Sequence, residues 1–173
     1  MSDEISIRKA TTDDLPAIRA IMNEAVLNST AIYDYYERDE NYVLHWWEQL
    51  HQQQMPILSC VIDGRCVGYG TFSKFRPKDG YRFCVEHSVY IDKDFRGRGT
   101  GGKLLKALID LARSQGYHTM VAGIDGDNKE SIRFHEKFGF VQVGYMKEVG
   151  YKFDRWLDLV FMQLTFPVLP TGD

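Results

Sequence analysis

The chain has little cysteine, little proline and no long apolar run, and each shortage removes a class of protein. Its three cysteines, Cys60, Cys66 and Cys84, are an odd number without C-x-x-C spacing. That pattern argues against a disulfide-stapled scaffold and fits reduced, packed thiols in the cytoplasm. No window approaches the roughly eighteen apolar residues of a membrane-spanning helix, and the N-terminus lacks a basic stretch followed by an apolar one, so a soluble, unexported protein is expected. The five histidines, His45, His51, His87, His118 and His135, show no H-E-x-x-H or other ligand spacing, and no metal is expected. Neither charge dominates. With 21 Lys and Arg against 24 Asp and Glu, the formal net charge of -3 gives no general reason to bind nucleic acid or an anionic membrane.

What is present is local. Between residues 92 and 106, Lys93, Arg96, Arg98, Lys103 and Lys106 outweigh Asp92 and Asp94. A basic island on a mildly acidic chain suits a polyanionic small molecule. The stretch from Glu86 to Leu105 sets a carboxylate, an apolar strand, a glycine-rich turn and the start of a helix in immediate succession. Such a turn leaves backbone N–H groups free, and the first helical turn adds unpaired donors with a partial positive charge. The combination predicts a diphosphate cradle beside an ionisable group.

At 173 residues and 20.0 kDa, one domain over 1–173 is the simplest organisation, with a core over about 5–165 and a short flexible C-terminal tail. Residues 5–9 read as a strand, followed by a helix carrying Leu15, Ile18, Met22 and Ala25 on one face, with Thr11 to Asp14 at its start. A second helix is expected over about 39–53, with Trp46 and Trp47 in the core. Two β-rich runs around Asp63-Gly64 predict a hairpin, and a longer strand is expected over about 82–91. After the glycine turn comes a helix ending at Gly116, a short strand over 119–124, a helix over about 129–138, and strands near 140–147 and 155–165. A hairpin before two strand–helix units and a closing antiparallel pair imply an α/β (α+β) fold with a mixed sheet and helices on both faces.

Three glycine patterns compete for the turn. Gly97, Gly99 and Gly102 satisfy G-x-G-x-x-G, with Asp125 available as a ribose acid, but that fingerprint normally opens the first β-α-β unit instead of following a hairpin-rich half. Gly97 to Lys103 nearly makes a P-loop, yet Leu104 stands where a hydroxyl must hold magnesium. The third pattern, Arg96-x-x-Gly99-x-Gly101, resembles the acyl-CoA pyrophosphate loop of the GNAT N-acetyltransferases. The resemblance runs over residues 5–165 and includes a second motif, Asn128 to Phe140. It narrows through Val85 to Ile91 and Gly150 to Leu164, which resemble the phosphinothricin and methionine sulfoximine (sulfone) acetyltransferase branch. The resemblance implies the GNAT fold: a twisted, mostly antiparallel sheet of about six or seven strands flanked by about four helices.

It also implies roles for particular residues. Glu86 matches the branch's catalytic base, and Val89, Tyr90 and Ile91 match the strand that pairs with the pantetheine arm of acetyl-CoA. A backbone N–H near Val89 then faces the acetyl carbonyl oxygen. Gly97, Gly99, Thr100, Gly101 and Gly102 fall in the pyrophosphate loop, where Arg96 or Arg98 either reaches phosphate or is solvated. Asn128 matches the asparagine that bonds the pantetheine amide, as well as being a helix N-cap, and Ser131 stands at the helix start. Many relatives carry a tyrosine where this chain has His135. The proton for the leaving thiolate is therefore open between His135 and water, with simple helix packing of His135 an equal alternative. For the substrate, Tyr33, Phe75, Arg76 and Pro77 are expected with Glu86, His87 and Ser88, Arg76 being preferred to Arg82 as the carboxylate partner.

The expected activity is acetyl-CoA-dependent, metal-free acetylation of the α-amine of a small amino-acid analogue such as phosphinothricin, methionine sulfone or methionine sulfoximine. The expected partner is that amino-acid-like amine, without nucleic acid or membrane, in a cytoplasmic homodimer. The rivals are an acetyltransferase for a polyamine, a drug or a protein N-terminus, and a CoA-binding sensor without turnover.

Overall fold

A computed structural model describes residues 4–167. Among these, seven strands and four α-helices follow one another as β1 (Ser6–Lys9), α1 (Leu15–Asn28), α2 (Glu40–Gln52), β2 (Ile57–Ile62), β3 (Arg65–Lys74), β4 (Cys84–Ile91), α3 (Thr100–Ser114), β5 (Thr119–Asp125), α4 (Lys129–Glu136), β6 (Val141–Lys152) and β7 (Arg155–Thr165). The strands make one sheet in the order β1-β2-β3-β4-β5-β7-β6. Its pairs are antiparallel except β4–β5.

The sheet is covered on both faces because alternate residues of a strand point oppositely. On β3, Tyr69 meets the Trp46 ring of α2 with 5.8 Å between centroids. On the other face, a Cβ at Gly70 would stand 2.9 Å from Leu108 and 3.2 Å from Leu104 of α3. Leu104, Leu105 and Leu108 are fully buried there. The bare backbone of Gly70 thus brings α3 close to the sheet, and with it the turn preceding α3.

The start of α1 is fixed by Asp14. Burial pushes its carboxyl up, but hydrogen bonds from Arg8, the Thr11 N–H and the Ser59 hydroxyl outweigh this and bring it down to about 2. Arg8 grips it with both guanidinium nitrogens, at 2.6 and 2.8 Å.

Several boundaries differ from the sequence reading. Trp46 and Trp47 are half-buried, packed against the core instead of inside it. β4 begins at Cys84, because residues 79–81 form a 3-10 turn. β6 continues to Lys152 and turns through Phe153 and Asp154, both at positive φ (52° and 56°) without a glycine. Phe166, expected in the loose tail, is buried, and its N–H donates to the His118 carbonyl at 2.8 Å. The remainder of that expected tail, residues 168–173, lies outside the described residues. Cys60 and Cys66 are buried free thiols and Cys84 is half-buried. Burial pushes Cys60 up to about 11 and Cys66 up as well, which makes neither a ready nucleophile.

Candidate active site

The parallel ladder between β4 and β5 is short. It pairs Cys84 with Thr119, Val85 with Met120 and Glu86 with Val121, and goes no further. Beyond Glu86 the strands part like a fork. β4 runs on to Ile91 and β5 to Asp125, so the inner edge of β4 offers backbone groups to an extended ligand. A groove of about 610 Å³ follows this fork, lined by Ser88 to Ile91, Arg96, Gly97, Gly99 to Gly102, Asn128, Ser131 and His135.

The turn at its end is shaped for an anion. Gly97 (φ 74°) and Gly99 (φ 80°) are left-handed, a conformation that suits glycine, and Gly99 is the N-cap of the fifteen-residue α3. Thr100 is buried and donates its hydroxyl to the Phe95 carbonyl at 3.0 Å, so it closes the turn. Arg96 lines the groove, donating to the Ile91 carbonyl at 3.1 Å and to Glu24 at 2.8 Å. Arg98 lies over the Phe95 ring, 5.0 Å from its centroid, outside the groove lining. Asn128 accepts the Ser131 N–H at 3.0 Å as the N-cap of α4. The parted strands, the left-handed glycines and the α3 N-terminus fit the arm and pyrophosphate of acetyl-CoA.

A smaller cavity of about 290 Å³ adjoins the fork. It is lined by Thr30, Ala31, Tyr33, Phe75, Arg76, Glu86, Gly123, Asp125, Leu159 and Phe161. Ala31, Gly123 and Asp125 line both spaces, so the two meet over β5. Glu86 stands at this junction. Burial raises its carboxyl above the ordinary glutamate range, and Arg76 opposes the shift. Tyr33 donates its hydroxyl to the Asp158 carbonyl at 3.0 Å, and its phenol is pushed up to about 12 by burial and the nearby Asp125 and Asp158 carboxylates.

The structure thus brings together Tyr33, Phe75, Arg76 and Glu86, and it separates others expected with them. Pro77 is exposed and does not line the cavity. Ser88 lines the larger groove. His87 points to the opposite face from Glu86, because it is the next residue along the strand, and it packs on Phe140 and His135. Thr30, Ala31, Gly123, Asp125, Leu159 and Phe161 were not foreseen as cavity residues. One signal was available: Gly123 and Asp125 sit at the carboxyl end of β5 just before the Asn128 motif, where strands part and ligands bind.

His135 is buried at 6% exposure. Its Nδ1 lies 2.7 Å from the Ser131 carbonyl, which can only accept, so Nδ1 carries the proton. Its Nε2, 3.1 Å from His87 Nε2, is therefore the acceptor of the His87 N–H. Burial holds both rings below the ordinary histidine range, His87 down to about 3. In this arrangement His135 is a neutral ring with its free nitrogen occupied. It offers no imidazolium proton at neutral pH, which argues against the acid role considered for it.

Residues 7–161 match the acetyltransferase (GNAT) domain family. The chain belongs to that family. The GNAT fold seen here is shared with a GNAT superfamily phosphinothricin acetyltransferase from Sinorhizobium meliloti, solved in complex with acetyl-CoA (TM-score 0.90, 34% identity, 93% of this chain and 88% of that one). It is shared also with a structure named ribosomal-protein-alanine N-acetyltransferase from Brucella melitensis (TM-score 0.91, 42% identity, 93% and 99%). In sequence, the GNAT chain is 48% identical over 160 residues to an L-methionine sulfoximine/L-methionine sulfone acetyltransferase of Pseudomonas aeruginosa, covering 92% of this chain and 93% of the relative. The family match and the named relatives identify the chain as an N-acetyltransferase of the GNAT family. Among the described residues, no helix is long and apolar enough to cross a membrane, and no group of His, Cys, Asp and Glu is arranged to hold a metal ion.

Proposed function

We propose that this protein transfers the acetyl group of acetyl-CoA directly to the α-amine of a small amino acid with a polar tail, in a ternary complex. L-Methionine sulfone and L-methionine sulfoximine are the leading candidates and phosphinothricin a further one. Detoxification follows from the chemistry, since acetylation removes the charged amine of such analogues. The observation that carries the reading is the meeting of the two cavities over Gly123, with Glu86 at the junction and Arg76 across the smaller cavity.

Bound acetyl-CoA supplies an activated acetyl thioester. The turn 97–102 and the first turn of α3 hold its pyrophosphate, and the free edge of β4 aligns its arm, with the Val89 N–H directed at the acetyl oxygen. Arg76 binds the substrate carboxylate with a guanidinium suited to that group. Phe75, Leu159 and Phe161 provide an apolar wall that excludes water. An alkyl ammonium of pKa ~10 is neutral in only about one part in a thousand at pH 7, a handicap of roughly 4 kcal/mol. Glu86, with its carboxyl raised towards neutrality, takes that proton. The neutral amine attacks the acetyl carbon to form the C–N bond, the C–S bond breaks as the adduct collapses, the second proton of the nitrogen passes to solvent, and solvent protonates the departing thiolate.

The described residues act as one domain, and free thiols support a reducing, cytoplasmic setting. A homodimer through the β6–β7 face is supported by exposed apolar side chains along the edge strand β6 and its neighbour, among them Val141 and Trp156, each 61% exposed. Sedimentation at micromolar concentration tests it: a dimer is expected, and a monomer contradicts it.

Thiol release from acetyl-CoA, measured against amino-acid analogues, polyamines and an alanyl peptide, tests the substrate assignment. Release with the amino-acid analogues is expected. Activity confined to polyamines or the peptide overturns the assignment, and tight CoA binding without release on any amine supports a sensor.

A further inference from the structure

Lys152 ends β6 at 3% exposure, and no carboxylate forms an ion pair with it among the described residues. Its Nζ donates instead to the carbonyls of Val26 at 2.5 Å, Ser29 at 2.7 Å and Ile32 at 2.6 Å. All three ammonium hydrogens are thereby used on backbone oxygens. Val26 and Ser29 lie at the C-terminal end of α1, where carbonyls lack helical partners and a cation is favoured by the dipole. Ile32 lies in the connection between α1 and α2, which has no regular secondary structure from Ser29 to Asp39.

That connection supplies Thr30, Ala31 and Tyr33 to the wall of the amine cavity. Further attachments run to the same hairpin. The Tyr33 ring lies so close over Gly150 that a Cβ there would stand 2.6 Å from it, and the Tyr35 hydroxyl donates to the Tyr151 carbonyl at 2.5 Å. Lys152 differs from these contacts because its charge must be hydrogen-bonded when buried. Only a loop that turns the Ser29 and Ile32 carbonyls inward satisfies it.

We propose that Lys152 is a positioning residue for the amine cavity, fixing the backbone of residues 29–32 from behind so that Thr30, Ala31 and Tyr33 present one surface to the substrate. The inference rests on the acetyltransferase reading above for its effect on kinetics, and on geometry alone for its effect on the loop. Lys152 touches neither the cradle at 97–102 nor the free edge of β4; Ser29 and Ala31 also border the larger groove, so acetyl-CoA binding is weakened less than amine binding and not in parallel with it.

The test compares Lys152→Met, which keeps the stem and removes the donors, with Lys152→Arg, by segment-resolved amide hydrogen exchange and steady-state kinetics. In Lys152→Met, exchange rises over residues 29–36 and stays unchanged over β4 and 97–102. The KM for L-methionine sulfone rises about tenfold, with a smaller fall in kcat and acetyl-CoA affinity within about threefold of wild type. Lys152→Arg recovers part of both effects. Should Lys152→Met fail to fold, Lys152→Gln takes its place with the same expectation. Unchanged exchange over 29–36 and unchanged amine KM beside a lowered Tm overturn the proposal, leaving the lysine a stabiliser only. A parallel loss of amine and acetyl-CoA binding overturns it as well. Absence of turnover by the wild type on every amine contradicts the acetyltransferase reading instead, while the exchange result still decides the part played by Lys152.

Discussion

Glu86 Oε1 stands over the backbone of Gly123: a Cβ built at that glycine would lie 3.2 Å from the carboxylate oxygen. The bare position on β5 lets the carboxylate occupy the junction of the two cavities, so the glycine serves the site through close approach and not through an unusual φ.

Gly123→Ala therefore displaces the Glu86 carboxylate by a few tenths of an ångström, because the flexible end of the glutamate yields before the strand does. The expected result is a fall in kcat of about three- to tenfold with Tm nearly unchanged, given how strongly transfer depends on alignment. Steady-state kinetics beside thermal melting checks this, and undiminished kcat would show that the carboxylate position is not critical.

Arg76 and Glu86 are coupled through charge, and the coupling has a sign. Burial raises the Glu86 carboxyl and the Arg76 cation lowers it, so removing the cation leaves burial less opposed. In the proposed mechanism the carboxylate is the active form, so activity is predicted to be lost as pH falls through its pKa. Arg76→Gln accordingly shifts the acid limb of kcat/KM to higher pH, in addition to raising the amine KM, whereas Arg76→Lys leaves the limb near its wild-type position. A limb that stays put in Arg76→Gln would separate the two residues.

The His87–His135 pair predicts a stability effect that is independent of catalysis. Burial, with His135 adding to it, holds His87 down to about 3 in the folded state, while an unfolded histidine titrates near 6.5. Between these values the unfolded chain binds the extra proton, so stability is highest above about pH 6.5 and falls as pH drops. The slope attributable to one such proton is about 1.4 kcal/mol per pH unit. Urea unfolding between pH 7 and 4 is expected to show a shallower slope in His87→Leu than in wild type; equal slopes would mean that the ring is not held neutral.

The parts of the site that the sequence made legible are those with a local cause. Gly97 and Gly99 adopt left-handed φ within a turn whose residues announce it, and Asn128 caps α4 through contacts three residues away. Glu86 was found through a motif on a single strand. Residues were missed where the cause is topological: Leu159 and Phe161 reach the cavity because β7 inserts between β5 and β6, and Thr30 because the α1–α2 connection is tied to β6. The grouping of Glu86, His87 and Ser88 as one surface failed for a simpler reason. Neighbours on a strand face opposite ways, which puts His87 against Phe140 and leaves Glu86 in the smaller cavity, while Ser88, on the face of Glu86, lies beyond the end of the β4–β5 ladder and lines the larger groove.

Transfer of the amine proton to Glu86 where the two cavities meet is the central step of the proposed mechanism. The most direct measurement is the pH profile of kcat/KM for L-methionine sulfone in wild type and Glu86→Gln, with acetyl-CoA affinity measured alongside. The wild type is predicted to show an acid limb above the ordinary glutamate range, and Glu86→Gln to lose that limb and about a hundredfold or more in turnover while binding acetyl-CoA as before. Unchanged turnover with the limb still in place would contradict the assignment.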